Sequence, residues 1–183
     1  MIKSFNEYLV EENTSAFFTF GRMNPPTAGH EKLLDALAKK AGRNPYFVFL
    51  SQSQDPKKNP LDYSAKVKHV RKMFPRHARR VLTNKKIRTV FDAATYLFDQ
   101  GNTKISMVVG SDRVREFETL LNKYNGKKGA HGFYNFQDIK VISAGARDPD
   151  AEGVEGMSAS KLRGFAGDND FASFSQGLGK NMG

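Results

Sequence analysis

The chain has 183 residues, of which 39% are hydrophobic and 26% charged, and its formal net charge is +10. This composition is typical of a globular protein with one core. Because the chain has no cysteine, it cannot form disulfides or thiolate metal sites, and this fits a reducing compartment. The four histidines show no metal-ligand spacing, and the longest apolar runs, such as Tyr46–Leu50, are too short to span a bilayer. The positive charge indicates either a polyanionic partner or a surface tuned for solubility.

Strand and helix patterns alternate along the chain after a short leader. Short apolar runs predict five buried strands, the third from a weak pattern, at residues 16–20, 46–50, 79–82, 105–109 and 139–143. Apolar residues at helical spacing predict helices at residues 28–41, 62–74, 89–100 and 113–124, with two short helices at 158–165 and 168–174.

This alternation predicts an α/β fold built as a single domain over residues 13–177. We expect an open, doubly wound, five-stranded parallel sheet of Rossmann-like type, covered by helices on both faces. In such folds ligands bind at the carboxyl ends of the strands, near the point where the strand order reverses. Residues 178–183 are expected to be a loose tail.

The segment between the first strand and its helix, residues 21–30, reads GRMNPPTAGH. A helix N-terminus presents unpaired backbone N–H groups and a partial positive charge, so it favours phosphate. Gly29 lets the backbone approach a ligand closely. Thr27 and His30 are three residues apart, so in a helical turn both side chains would face the same phosphate. The alternative is an ordinary turn with a helix-capping histidine.

These residues resemble the signature loop of the cytidylyltransferase-like nucleotidyltransferases, which occurs in the forms H-x-G-H and T-x-G-H. This chain has the threonine form, similar to phosphopantetheine adenylyltransferases. Gly110-Ser111-Asp112 resembles the family's Gly-x-Asp nucleotide-contacting turn, and residues 157–163 (MSASKLR) resemble its late Ile-Ser-x-Thr-x-Ile-Arg motif. Taken alone, each of these two segments could also be an ordinary helix cap.

The resemblance implies that an acceptor phosphate attacks the α-phosphate of a nucleoside triphosphate and that pyrophosphate leaves without a covalent enzyme intermediate. It assigns the α-phosphate to His30 and Thr27, and the leaving pyrophosphate to Ser160, Lys161 and Arg163. The catalytic residues would then be Thr27, His30 and Arg163. Nucleotide binding would fall to Gly21, Arg22, Gly29, Gly110, Asp112, Ser158, Ser160 and Lys161. Mg²⁺ would be held mainly by the triphosphate, with no protein metal site.

Residues 51–61 (SQSQDPKKNPL) are similar to a loop of archaeal-type nicotinamide mononucleotide adenylyltransferases, in which a Ser-Ala-Gln stretch precedes Asn-Pro-Phe. This similarity favours ATP and a nicotinamide mononucleotide acceptor. The chain departs from that subfamily in having Thr27 where the subfamily has histidine, and in having no tryptophan to lie near the nicotinamide ring. Phe133, Tyr134 or Phe136 could stack on a ring instead, or could simply be part of the core.

The leader, residues 1–12, carries an apolar helical stripe but not the pattern of a secretory signal. Residues 1–11 resemble the capsid-targeting leaders of internal head proteins in large tailed phages, which are cleaved after Leu-x-Glu or Ile-x-Glu. The matching site here is Leu9-Val10-Glu11. We expect a phage-encoded protein in the bacterial host cytoplasm, packaged in the capsid if the leader directs it there. The alternative is an N-terminal helix that packs on the domain.

Two rival functions follow from the same residues. The first is a protein that has kept the nucleotide-binding fold without the chemistry and associates weakly with DNA, packaged beside it. The second is a relative of the class I aminoacyl-tRNA synthetases, because residues 157–161 resemble the lysine-containing loop of that family. The chain is too short to include a tRNA-reading domain as well, which disfavours the second rival.

Overall fold

The computed structural model describes residues 14–53 and 61–145. The described strands are β1 (Ser15–Gly21), β2 (Tyr46–Leu50), β3 (Lys104–Val109) and β4 (Asp138–Ser143). The described α-helices are α1 (Ala28–Ala41), α2 (Tyr63–Met73), α3 (Val90–Asp99) and α4 (Val114–Lys123), and Pro75–Arg80 and Ser111–Arg113 are 3₁₀ helices. In these two segments no helix is both long and apolar enough to cross a bilayer. The predicted leader, the two late helices and the tail lie outside the described residues.

The four strands form one parallel sheet in the order β2-β1-β3-β4. In register, Gly21 pairs with Leu50 and Val109 pairs with Ser143, so the carboxyl ends of the strands share one edge. The chain first moves from β1 to β2 on one side and later returns to β3 on the other side of β1. The strand order therefore reverses beside β1, which confirms the doubly wound α/β fold and places the expected ligand crevice at the ends of β1 and β3.

Helices cover both faces of the sheet. One face packs against α1 and α2, through a core that includes Leu34, Leu37, Val67 and Val70. The other face packs against α3 and α4, through a larger core that includes Phe18, Met107, Leu97 and Leu121. Neighbouring residues of one strand, such as Met107 and Val108, enter opposite cores because successive side chains of a strand point to opposite faces. Both faces are buried, which explains why the strands read as continuous apolar runs.

The weak third strand predicted at residues 79–82 is reduced to a single bridge. Pro75–Arg80 is a 3₁₀ helix, fixed by buried His77, which contacts the hydroxyl of Tyr46 at 2.9 Å and Asp35 Oδ1 at 2.7 Å. Only the end of the segment reaches the sheet, where Val81 forms an isolated parallel bridge to Val48. Four strands are therefore found among the described residues, and this bridge occupies the edge position beside β2.

Candidate nucleotide-binding site

The loop between β1 and α1 is anchored by a buried asparagine. Asn24 is 0% exposed; its Nδ2 donates to the carbonyl of Leu61 at 3.0 Å, and its Oδ1 accepts from the Leu61 N–H at 3.0 Å. These two bonds join the loop to Leu61, which directly precedes Asp62, the N-cap residue of α2. The sequence analysis did not single out Asn24, because a contact across 37 positions leaves no local pattern.

Thr27 and His30 contact each other at the start of α1. Thr27 is the N-cap residue, and its backbone N–H donates to Nδ1 of His30 at 2.9 Å. Thr27 Oγ1 also lies 3.1 Å from Nδ1. The pair forms a capping box, so the capping interpretation is confirmed. Both of these contacts of the His30 ring with Thr27 involve Nδ1.

The capping bond also sets the tautomer of His30. A backbone N–H can only donate, so Nδ1 must carry its lone pair toward Thr27. In a neutral imidazole the proton then resides on Nε2. This makes Nε2 a hydrogen-bond donor at a helix N-terminus, where the helix dipole favours anions.

The second predicted turn, at Gly110–Asp112, follows β3 directly. Gly110 is the N-cap residue of the short 3₁₀ helix Ser111–Arg113, and no side chain caps that helix. Asp112 is exposed and makes no hydrogen bond or ion pair with the described part of the chain. A Cβ added to Gly110 would lie 2.8 Å from Asp112 Oδ1, so the carboxylate folds back over the glycine. The Asp112 side chain is therefore not engaged as a helix cap.

The structure brings together one group of the predicted site residues and does not describe the other. The predicted residues at the ends of β1 and β3 and at the start of α1 share the carboxyl edge of the sheet; they are Gly21, Arg22, Thr27, Gly29, His30, Gly110 and Asp112. The predicted pyrophosphate residues lie outside the described residues; they are Ser158, Ser160, Lys161 and Arg163. All of these roles stay predictions.

A buried lysine that the sequence analysis missed lies at the same edge. Lys66 of α2 is 0% exposed, and its Nζ donates to Oγ of Ser51 at 3.1 Å. Burial and, less strongly, the nearby guanidinium of Arg22 lower the pKa of Lys66 to about 8. The available signal was a lysine between apolar residues on the inward face of a helix, beside Val67 and Val70.

The first residues after β2 have internal partners. The amide of Gln52 donates to the carbonyls of Asn84 and Ile87, at 3.0 and 2.8 Å. Ser51 contacts Lys66 through its hydroxyl. In the segment that resembles an adenylyltransferase loop, the side chains of Ser51 and Gln52 therefore make structural contacts within the domain. Residues 54–60 of that segment lie outside the described residues.

Of the three aromatic residues considered for ring stacking, Tyr134 and Phe136 are core residues and Phe133 is partly buried. Tyr134 and Phe136 are 0% and 4% exposed, and the Tyr134 hydroxyl donates to the Leu121 carbonyl at 2.7 Å. Burial, with a smaller contribution from Tyr124, raises the pKa of Tyr134 to about 12. These residues precede β4 and so lie at the amino ends of the strands, as does Phe133, whose ring centroid is 5.8 Å from that of Phe98. The carboxyl ends of the strands, where such folds bind ligands, are at the opposite edge, which disfavours the stacking alternative.

Comparisons with known proteins agree with this architecture. The model of the cytidylyltransferase-like family matches residues 18–164, a span that includes both predicted groups of site residues. The chain is also similar to the solved structure of Plasmodium falciparum nicotinic acid mononucleotide adenylyltransferase complexed with NaAD. The TM-score is 0.53, with 16% identity over 89% of each chain, a likeness of fold. The comparison with curated proteins finds no match. The family match covers most of the sequence, and the chain therefore belongs to the cytidylyltransferase-like family.

Proposed function

We propose that the chain is an adenylyltransferase that transfers the adenylyl group of ATP to the phosphate of a small acceptor and releases pyrophosphate. The family match supports nucleotidyl transfer. The observation that carries the proposal is the Thr27–His30 capping box, which puts the His30 proton on Nε2 at a helix N-terminus. The resemblance of residues 51–61 favours nicotinamide mononucleotide as the acceptor, and the similar Plasmodium enzyme adds nicotinic acid mononucleotide.

The reaction is an in-line displacement at the α-phosphorus. An oxygen of the acceptor phosphate forms a bond to the α-phosphorus, the bond from that phosphorus to the bridging oxygen breaks, and pyrophosphate carries away the electron pair. Nε2–H of His30 donates a hydrogen bond to a non-bridging α-phosphate oxygen as negative charge accumulates there. The protein supplies position and electrostatic stabilisation, which suffices for phosphoryl-type transfers.

The other predicted residues bind the two ends of the triphosphate. Gly110 and Asp112 would contact the nucleoside, because the Asp112 carboxylate is exposed and not engaged within the described residues. Ser158, Ser160, Lys161 and Arg163 would hold the leaving pyrophosphate. No group of three or more His, Cys, Asp or Glu in the described segments could hold a metal ion. Mg²⁺ would arrive with the triphosphate and neutralise phosphate charge.

Pyrophosphate release tests the proposal directly. Each of ATP, CTP, GTP and UTP would be incubated with each of four acceptors: nicotinamide mononucleotide, nicotinic acid mononucleotide, phosphopantetheine and glycerol 3-phosphate. We expect release with ATP and a mononucleotide acceptor. Release with CTP and glycerol 3-phosphate would contradict the adenylyl assignment, and no release with any pair would contradict the proposal.

A second candidate function rests on the charge distribution. Residues 63–91 contain ten Lys or Arg residues and no Asp or Glu. Several of these basic residues are exposed; they include Arg71, Lys72, Arg79, Lys85 and Lys86. Such a surface favours a polyanion, and DNA binding without nucleotide turnover would support this alternative. The measurement is DNA affinity as a function of salt concentration.

The leader carries a separate proposal, that residues 1–11 direct a phage protein into the capsid. The proposal rests on the resemblance of these residues to capsid-targeting leaders. In that case the protein recovered from purified virions begins at Glu12. Full-length chain inside the particles, or no chain at all, would contradict it.

A further inference from the structure

The loop that joins α4 to β4 is basic and aromatic. Residues 119–137 contain three lysines and four Tyr or Phe residues, with no Asp or Glu. Lys127 and Lys128 are exposed, whereas Tyr124, His131 and Phe133 are half-buried. The proposed nucleotidyl transfer uses none of these residues. Exposed aromatic surface that also carries positive charge is typical of an interaction site.

The rings of this loop form two groups along one face of α3. The first group contains Tyr124 and His131, whose ring centroids lie 5.3 and 5.7 Å from that of Phe91. In the second group, the ring centroid of Phe133 lies 5.8 Å from that of Phe98. Phe91 and Phe98 are seven residues apart in α3, so they lie on the same face, about 10 Å apart along the helix axis. The loop therefore presents two separate stacking positions.

Hydrogen bonds within the loop hold it in place. Asn125 Nδ2 donates to the Phe136 carbonyl at 3.0 Å, and the Phe136 N–H donates to Asn125 Oδ1 at 2.8 Å. Nε2 of His131 lies 2.8 Å from the Lys127 carbonyl, which can only accept, so Nε2 carries a proton. A surface that is fixed in advance loses little conformational entropy when a ligand binds to it.

Each group of rings has a lysine beside it. Lys123 Nζ lies 5.4 Å from the ring centroid of Tyr124, and Lys128 Nζ lies 5.8 Å from that of Phe133. Both distances are within the range of a cation–π contact. A nucleotide presents the complementary pair of groups, a flat base that stacks on aromatic rings and a phosphate that attracts ammonium groups. The surface therefore matches nucleotides in its chemistry.

We propose that this loop surface binds single-stranded nucleic acid, with bases stacked on the rings and phosphates in contact with the lysines. The loop surface is formed by Phe98, Tyr124, Lys127, Lys128, His131 and Phe133. Two stacking positions about 10 Å apart suit a strand of several nucleotides, because a mononucleotide occupies only one of them. A duplex is disfavoured, since its bases are stacked on one another and cannot reach the rings. A membrane is disfavoured because the exposed residues 126–130 (GKKGA) have no large apolar side chain to insert.

The loop surface is separate from the candidate nucleotide-binding site. The loop leads into β4 at Asp138, the amino end of that strand, whereas the predicted site residues lie at the carboxyl ends of the strands. A strand on the loop surface therefore leaves the candidate site open to its substrates. The inference goes beyond the proposed function and does not depend on it.

Binding of a short oligonucleotide tests the contribution of the lysines. The probe is fluorescein-labelled oligothymidylate of about 12 nucleotides, within the usual range of site sizes, and the readout is fluorescence anisotropy. The double variant Lys127→Gln, Lys128→Gln should weaken binding by at least about tenfold. It should also lower the slope of log Kd against log salt concentration by about 0.7 for each lysine that contacts a phosphate. The control Lys39→Gln, Lys40→Gln removes the same charge from exposed residues of α1 and should match the wild type. An equal loss in both variants would show non-specific attraction and overturn the proposal.

A base-free probe of the same length and charge tests the contribution of the rings. Phe133→Leu should weaken binding of the oligothymidylate by about ten- to hundredfold, the usual effect of losing one stacked base, and should not change binding of the base-free probe. Gly129→Ala should show the same pattern, because its Cβ would lie 2.9 Å from two ring atoms of His131 and must displace that ring. This second variant keeps every ring and every charge, so it provides the test if Phe133→Leu lowers the Tm. Equal weakening with both probes, or no weakening in either variant, would overturn the stacking role.

Three competitors show whether the probe binds to the loop surface as a single strand. Excess ATP should leave the probe bound, whereas displacement by ATP would assign the binding to the nucleotide site. A duplex of the same length should bind more weakly than the single strand, and equal binding would indicate a general polyanion surface. Vesicles that contain an anionic phospholipid should not displace the probe, and displacement would favour a membrane. Each of these contrary results, like the absence of any binding, would overturn the proposal. None of the measurements requires pyrophosphate release, so a failure of the proposed function would not affect their outcome.

Discussion

Replacing Lys66 with methionine should make the protein more stable. At pH 7 the lysine is charged in the folded state although burial opposes charge, and its pKa falls from 10.5 to about 8. A shift of that size corresponds to about 3 kcal/mol of destabilisation below pH 8. Methionine has a similar unbranched stem without the charge, but it leaves the Ser51 hydroxyl without its partner, at a cost of about 1 kcal/mol. The expected net gain is about 2 kcal/mol, or a rise in Tm of about 4–8 °C for a chain of this size.

The pH dependence of the stability difference between Lys66→Met and the wild type tests the direction of this effect independently. Because the folded pKa of Lys66 is lower than the unfolded value, the unfolded chain binds more protons between pH 8 and 10.5. The wild type therefore gains stability relative to Lys66→Met as the pH rises through this range, and the advantage of the variant disappears near pH 10.5. Urea denaturation of both proteins and of the exposed-lysine control Lys68→Met, at pH 7 and pH 10, measures this. A Lys66→Met variant that is less stable than the wild type at pH 7, or a difference that does not change with pH, would refute the reasoning.

Three further predictions concern the loop, the turn and the far end of the sheet. Gly110→Ala places a Cβ 2.8 Å from the Asp112 carboxylate, so we expect the ATP KM to rise by about tenfold, the effect of losing one hydrogen bond, with an unchanged Tm; an unchanged KM would count against the Asp112 assignment. Asn24→Ala removes two buried hydrogen bonds and should lower the free energy of unfolding by about 2–3 kcal/mol; denaturation at wild-type urea concentrations would show that the anchor is not needed. Tyr134→Phe removes one hydrogen bond at the amino ends of the strands, so it should lower the free energy of unfolding by about 1 kcal/mol. The KM for ATP and the KM for the acceptor should not change, and a change in either would contradict the position of the site.

The sequence predicted the sheet well because of how a parallel sheet is buried. Strands covered on both faces are continuous apolar runs, and Tyr46–Leu50 and Lys104–Val109 are readily recognised as such. The segment at residues 79–82 has only two apolar residues after a basic run, and its conformation depends on the contacts of His77 with Asp35 and Tyr46. Those contacts join residues more than 30 positions apart, so no local pattern predicts them.

The candidate site shows the same division between local and distant contacts. Thr27 and His30 are three positions apart, and their meeting at a helix start follows from helical geometry. The Lys66–Ser51 contact spans 15 positions and the Asn24–Leu61 contact spans 37, and both depend on how α2 packs on the sheet. The sequence could have indicated Lys66 only as an exception to an apolar helical face. The aromatic residues before β4 were ambiguous because an apolar run does not show which end of the sheet it occupies.

The role of His30 is tested most directly by pyrophosphate release from His30→Ala and His30→Glu with an acceptor that the wild type uses. Glutamate at this position keeps the capping box of α1 and adds a favourable charge at the helix N-terminus, so the fold should be retained, but it removes the Nε2–H donor. We predict that both variants lose at least about a hundredfold in kcat, which corresponds to about 3 kcal/mol of lost transition-state stabilisation, and that His30→Glu keeps the wild-type Tm. Pyrophosphate release within a few-fold of the wild-type rate in either variant would contradict the assignment of the reaction to this helix start.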